Sequence, residues 1–408
     1  MPREHVGMRE QAAKRLVETC LEIQREIDAR VREGTPADRA LAAVFRANRR
    51  LGARDRRFIA AAVFAEFRWR GWVRAIEDSR VKLAAALALD GMREFACRFA
   101  PEAASAADAP SDLREKAAWL DQTFPGAAPA RLEALVPEWT FEEIPGDGAP
   151  DFVARFLESI QRRPPLWLRA RRGMASAVCE RLREAGYACM EDPRVPGALR
   201  VEGAPSADAL RAILHKQAEI QDISSQRVVH FCAPHAGERW WDMCAGGGGK
   251  SLHLLELLGG NGHVYCTDIR PLALRELKRR ALAAGYSGWS ASLVGQTDRL
   301  PADPDGILID APCSGIGTWN RNPDARWRIT RRDLERHRHR QIGLIRQAFE
   351  QLRPGGRLVY AVCSLTKSET VDVIASILET IPARVIDTMR IDPFYGPCIG
   401  MWASMLTR

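Results

Sequence analysis

The stretch Trp241-Asp242-Met243-Cys244-Ala245-Gly246-Gly247-Gly248-Gly249-Lys250-Ser251 joins an apolar run that begins at Trp240 to the helix-forming sequence that ends near Leu258. A strand that passes through a polyglycine turn straight into a helix is the start of an alternating strand and helix pattern. Glycines let such a turn take positive φ and let a ligand approach the backbone closely, while the helix N-terminus offers free N–H groups. A nucleotide-like ligand is the natural occupant. A phosphate-binding P-loop needs glycine five residues before Gly249, and that position holds Cys244. A dinucleotide fingerprint is met only loosely by the run. The third reading is binding of S-adenosylmethionine, in which an acidic residue ending the next strand takes the ribose hydroxyls; Asp268 in Cys266-Thr267-Asp268 stands there.

Outward from this turn the alternation continues to the C-terminus. Strands are predicted at 240–244, 263–267, 289–294, 306–311, 357–362, 383–388 and 401–406, with helices at 250–258, 271–284, 333–352 and 368–380. This gives an α/β domain over residues 236–408 with a mostly parallel, seven-stranded sheet. Upstream, residues 141–235 mix helical and extended runs, with Pro164-Pro165-Leu166-Trp167-Leu168-Arg169 as a strand and 177–185 as a helix, which suits a small α+β module. Residues 1–140 read as all-helical: Leu16, Cys20, Ile23 and Ile27 recur at helical spacing, and a helix is expected over 55–72.

Two of the predicted strands end in cysteine. Ile307-Leu308-Ile309 runs into Asp310-Ala311-Pro312-Cys313-Ser314, and Leu358-Val359-Tyr360 runs into Ala361-Val362-Cys363-Ser364. Both thiols should therefore sit at the carboxyl edge of the sheet, where open α/β folds bind ligands. Buried packing is the ordinary role of a free cysteine. Two thiols at one sheet edge, with Asp310 three residues before the first, also suit covalent catalysis on cytosine. Cytosine C5 is a poor nucleophile until a thiolate adds at C6, and a second group must then help release the first.

Charge is consistent with a polyanionic partner. The 408-residue chain carries a net charge of +8, and its basic residues cluster. Arg46, Arg49, Arg50, Arg54, Arg56 and Arg57 face only Asp55, and ten arginines between Arg321 and Arg353 face four carboxylates, a local charge of +6. Each cluster reads either as a solvated helix face or as phosphate contacts to RNA, the second being favoured for the longer one. Trp319 and Trp327 could stack on bases or belong to a core. No signal-like segment or long apolar run is present, so a cytoplasmic protein without membrane contact is expected. The ten cysteines, at 20, 97, 179, 189, 232, 244, 266, 313, 363 and 398, show no paired or zinc-like spacing and are expected to be reduced thiols.

Together these motifs resemble the RsmB/Nop/Sun family of S-adenosylmethionine-dependent RNA 5-methylcytosine methyltransferases, most closely its bacterial RsmB branch, which acts on 16S ribosomal RNA. The resemblance rests on Asp310 to Gly315, on Cys363-Ser364, on Pro164 to Arg169, on Ile220-Gln221-Asp222-Ile223-Ser224-Ser225-Gln226, and on Arg54 to Arg68. The last is similar to the NusB-like helical RNA-binding domain of that branch. The resemblance implies a class I, Rossmann-like methyltransferase domain that works as a monomer on RNA. It makes Cys363 the nucleophile, Cys313 the thiol that assists release, and Asp310 a contact to the base. Cys244, Ala245, Gly246, Gly247, Gly248, Gly249 and Lys250 would hold the methionine end of the cofactor, Asp268 its ribose, and Asp298 or the neighbouring Thr297 its adenine. Where the family usually has Ala-Pro, this chain has Gly246-Gly247, which implies a more flexible loop. Other expectations compatible with the residues are a methyltransferase acting on transfer RNA or another RNA, and an RNA-binding assembly factor without turnover.

Overall fold

The computed structural model describes residues 2–100, 108–124, 130–144, 151–203, 205, 207–214, 216–295, 302–394 and 396–408. They form two compact units, Met1–Arg163 with Thr318–Thr330, and Pro164–Gly317 with Arg331–Arg408.

The first unit is helical, and among its described residues there is no strand. Its longest helix, Pro2–Arg32, buries Val17, Cys20, Ile23, Ile27 and Val31 along one stripe, with Leu16 at the margin. That i, i+3, i+4 recurrence is what drives an amphipathic helix onto a core. The helix expected over 55–72 is Ala53–Val73, whose Phe58, Ile59, Phe67, Trp69 and Trp72 are buried.

The excursion Thr318–Thr330 belongs to this helical unit although it lies between the two cysteine motifs. Trp319 is wholly buried, and Trp327 donates its indole N–H to the Phe67 carbonyl at 2.7 Å. Both tryptophans are therefore structural rather than exposed for base stacking. Arg326 is also wholly buried; its guanidinium donates to the carbonyls of Arg68 (3.2 Å), Leu135 (3.1 Å), Ile160 (3.0 Å) and Trp319 (3.4 Å). Arg328 pairs with the buried Asp324 at 3.0 Å. These two arginines of the +6 run are thus structural, because a forked donor set can satisfy buried carbonyls that no backbone N–H reaches.

The second unit contains two sheets. In the smaller, β1 (Leu166–Ala170), β2 (Cys189–Glu191), β3 (Ala198–Val201) and β4 (Ala218–Ile220) lie antiparallel in the order β2-β3-β1-β4. Here one expectation fails. Cys179, on the helix Ala175–Glu184, and Cys189 form a disulfide with Cα atoms 5.3 Å apart. Val178, Cys179 and Leu182 share the buried face of that helix, and Cys189 is the inward residue of β2. The two sulfurs meet because helix and strand pack face to face, a relation that their spacing in the chain does not encode.

The larger sheet consists of β5 (Arg239–Asp242), β6 (His263–Asp268), β7 (Trp289–Leu293), β8 (Gly306–Asp310), β9 (Arg357–Val362), β10 (Arg384–Ile391) and β11 (Met401–Thr407), in the order β10-β11-β9-β8-β5-β6-β7. β5 to β9 run parallel and β11 pairs antiparallel with β9 and β10. β8 and β9 are buried along nearly their whole length, as interior parallel strands covered on both faces must be. Gly306 is required at its position, since a Cβ there would lie 2.4 Å from the Trp240 ring. The order reverses between β5 and β8, so the loops at the carboxyl ends of these two strands diverge and leave a crevice for a ligand. Among the described residues no helix is long and apolar enough to cross a membrane.

Candidate active site

The crevice gathers most of the residues singled out in the sequence. After β5 the chain turns through Ala245, whose N–H donates to the Thr267 carbonyl at 2.9 Å, and Gly248, whose N–H returns to the Ala245 carbonyl at 2.9 Å. Gly248 has φ of +84° and caps the helix Gly249–Leu257. Ser251 in that helix donates to Asp242 at 2.7 Å. Burial pushes the Asp242 carboxyl up to about 7, against the pull of this hydrogen bond. Cys244 lies partly buried in the loop, where desolvation pushes its thiol up to about 12, so it stays protonated.

Asp268, at the end of β6, grips this loop. One carboxylate oxygen accepts the Gly246 N–H at 2.8 Å, and Arg270 supplies its backbone N–H at 2.8 Å and two guanidinium nitrogens at 2.9 Å. Burial by itself would raise this carboxyl, but the Arg270 and Gly246 hydrogen bonds outweigh it and leave it below its ordinary range. Arg270 is exposed, so its side chain can swing aside and free the acceptor oxygens for a ligand's hydroxyls. Asp298 and Thr297 lie outside the described residues.

The two cysteine motifs follow adjacent strands, with Asp310 directly opposite Ala361 in the β8–β9 register. The chain beyond each strand is pinned by backbone bonds from Ala311 N–H to Ala361 (2.9 Å) and from Gly317 N–H to Cys363 (3.0 Å). Cys313 Sγ and Cys363 Sγ end up 3.2 Å apart as free, partly buried thiols. Their mutual hydrogen bond, then burial, then the charges of Cys363 and Glu369, hold the Cys313 thiol well above its ordinary pKa. Lys250 reaches across from the loop to Asp310, Nζ to Oδ2 at 2.6 Å. Burial works against the Lys250 charge, but the Asp310 carboxylate more than compensates and holds it above its ordinary value. Thus Cys313, Cys363, Asp310, Lys250 and the glycine loop occupy one sheet edge, with Asp268 on the far side of the loop. The arrangement can supply a sulfur nucleophile, a second thiol beside it, and a carboxylate oriented by a cation.

Sequence reading missed Glu369, which is fully buried beneath the cysteine loops and accepts hydrogen bonds from Ser314, Ser364, Thr366 and Gln341. The available signal was the repeated Cys-Ser pair at Cys313-Ser314 and Cys363-Ser364, two hydroxyls in equivalent places that call for a shared acceptor.

Residues 229–400 match the family model described as 16S rRNA methyltransferase RsmB/F. Proteins named ribosomal RNA small subunit methyltransferase B from Salmonella paratyphi B and Salmonella typhi are each 32% identical over 258 residues, covering 61% of this chain. The match spans only 58% of the length of those relatives. Among solved structures, that of PH0851 superposes with a TM-score of 0.73 at 22% identity, covering 95% of this chain and 99% of its own. NSun6 from Pyrococcus horikoshii superposes with a TM-score of 0.57 at 16% identity, covering 62% of this chain and 94% of its own. At those identities the two structures support the fold alone. Residues 229–400, which contain β5 to β10 of the crevice-bearing sheet, are thus similar to the RsmB/F methyltransferase family.

Proposed function

We propose that the protein is an S-adenosylmethionine-dependent RNA cytosine-5 methyltransferase acting on 16S ribosomal RNA through a covalent bond between Cys363 and C6 of the base. The observation that carries this reading is the pair of free thiols 3.2 Å apart at the carboxyl edge of the sheet, beside the Lys250–Asp310 ion pair. Packing cysteines have no need of an oriented carboxylate and ammonium next to them.

In this reading the Cys363 sulfur adds to C6 and the displaced π electrons make C5 nucleophilic. The cofactor supplies an electrophilic methyl group when bound. Loop residues 244–250 would lie against its methionine end and Asp268 against its ribose, since the loop follows the strand at the topological switch and Asp268 already accepts an N–H from it. Asp310, oriented by Lys250, would contact the base. Once C5 has gained the methyl group its proton passes to a general base, the role we assign to the Asp310 carboxylate, the C–H electrons re-form the ring double bond, and the Cys363–C6 bond breaks with its electrons returning to sulfur. Cys313, a hydrogen-bonding neighbour of Cys363, would assist that release. The names of the matched relatives support ribosomal RNA as the substrate. For the approach of RNA, the helical unit presents Arg46, Arg49, Arg50, Arg54 and Arg57 exposed, a concentration of charge suited to phosphates.

Single substitutions at the two thiols test the mechanism. Cys363→Ala should abolish methyl transfer to 16S RNA, with activity down by at least about a thousandfold as expected for loss of a nucleophile. Cys313→Ala should instead accumulate a protein–RNA adduct that survives denaturing electrophoresis. Full activity in Cys363→Ala would refute covalent attack by this residue, and unaltered 5-methylcytosine maps of ribosomal RNA in a deletion strain would refute the substrate.

A further inference from the structure

We propose that Glu369 is a positioning residue that holds Cys313 and Cys363 at reacting distance by binding the chain beside both of them; this rests on the reading of the two thiols given above. Glu369 is wholly buried. One of its carboxylate oxygens accepts the Ser314 backbone N–H at 2.8 Å and the Gln341 side-chain amide at 3.2 Å. The other accepts the hydroxyls of Ser364 at 2.7 Å and Thr366 at 3.1 Å, together with that of Ser314. Ser314 follows Cys313 and Ser364 follows Cys363, and their hydroxyls also touch at 3.2 Å. Gln341 extends the clamp to the other side of Cys313 by donating to the Pro312 carbonyl at 3.0 Å.

The clamp is itself anchored. Tyr360, on the strand that leads to Cys363, donates its hydroxyl to the Glu369 carbonyl at 2.7 Å. Five donors fill the acceptor capacity of a carboxylate, so its position is determined by both cysteine loops and in turn determines them. Among the described residues no cation forms an ion pair with it. Buried charge held by hydrogen bonds alone is costly unless every bond is present. A role confined to helix capping would not recruit the residues next to both thiols. The Glu369 charge also adds to the proton affinity of Cys313.

Glu369→Gln keeps the size of the side chain but removes one acceptor oxygen and the charge. The expected result is a rate of diamide-induced Cys313–Cys363 disulfide formation, read by peptide mass spectrometry, at least about tenfold below that of the unsubstituted protein, with unchanged far-ultraviolet circular dichroism. In a Cys363→Ser background the alkylation of Cys313 should move to lower pH when Glu369→Gln is added. Methyl transfer should fall chiefly in kcat, with KM for RNA little changed. Wild-type cross-linking and an unmoved alkylation profile in Glu369→Gln would overturn the proposal, even if the variant melted early. Glu369→Asp, which retains the charge on a shorter arm, should keep the alkylation profile and lose cross-linking; retained cross-linking would count against positioning. The cross-linking and alkylation readouts need no RNA, so failure of the methyltransferase reading would appear separately, as a cross-linking defect in a protein whose Cys363→Ala variant is fully active.

Discussion

Gly248→Ala probes the turn proposed to hold the methionine end of the cofactor. Residue 248 has φ of +84°, and an added Cβ would lie 2.7 Å from Leu277 Cγ and 3.3 Å from Leu277 Cβ and Cδ1. An L-residue in left-handed backbone costs about 1–2 kcal/mol. Leu277 is wholly buried and packs in the cluster that contains Leu252, Leu254 and Leu274, so it cannot swing away, and overpacking of this kind adds about 1–3 kcal/mol. The combined loss of roughly 2–5 kcal/mol corresponds to a drop in melting temperature of roughly 4–20 °C for a domain of this size. The control is Gly247→Ala: that position is outside the positive-φ set, and its Cβ would meet only Arg280 Nη1 and Glu276 Cγ at 3.7 Å, ordinary contact distance. It should stay within about 0.5 kcal/mol of the unsubstituted protein. Differential scanning calorimetry gives the melting temperatures, and equilibrium dialysis with labelled S-adenosylmethionine should show weakened binding for Gly248→Ala. The reasoning is refuted if Gly248→Ala melts within about 2 °C of the parent, or if Gly247→Ala is equally damaging.

Two other perturbations follow from buried charge. The Asp242 carboxyl sits at about 7 in the folded protein, above its ordinary value, so as pH rises the unfolded chain loses its proton first. Stability should therefore decline from about pH 4 to about pH 7 and level off above, by up to a few kcal/mol; Asp242→Asn should remove that slope in urea denaturation at pH 5 and pH 8, and a parent protein equally stable at both would contradict the assignment. Arg326→Ala strips the donors from four buried carbonyls in the helical unit and should cost about 3–5 kcal/mol. Hydrogen exchange of the Ala53–Val73 helix should then accelerate by at least about a hundredfold, and wild-type protection there would argue that water replaces the guanidinium at little cost.

The sequence by itself determined the local structure of the α/β domain. Apolar runs such as Ile307-Leu308-Ile309 have no other way to bury both faces than as interior strands, Pro271 and Gly285 bound their helix as N1 and C-terminal punctuation do, and the glycine run marked the turn after β5. Because the cysteines immediately follow two such strands, their place at the sheet edge could also be read from the chain.

Tertiary structure decided the rest. The 3.2 Å approach of Cys313 to Cys363 depends on β8 and β9 being neighbours in a defined register, and the Cys179–Cys189 disulfide depends on a helix packing against a strand. Whether an arginine faces solvent or a cage of carbonyls, as Arg326 does, is set by which segments surround it; its charge in the sequence is the same in both cases. Glu369 is the clearest instance. In the chain it is one acidic residue at the start of a helix, and only the convergence of Ser314, Ser364, Thr366 and Gln341 on its two oxygens makes it a joint between the two thiols. Periodicity and turn chemistry act over a few residues and are written locally, whereas hydrogen-bond partners 28 and 55 residues distant are chosen by the packing of whole elements.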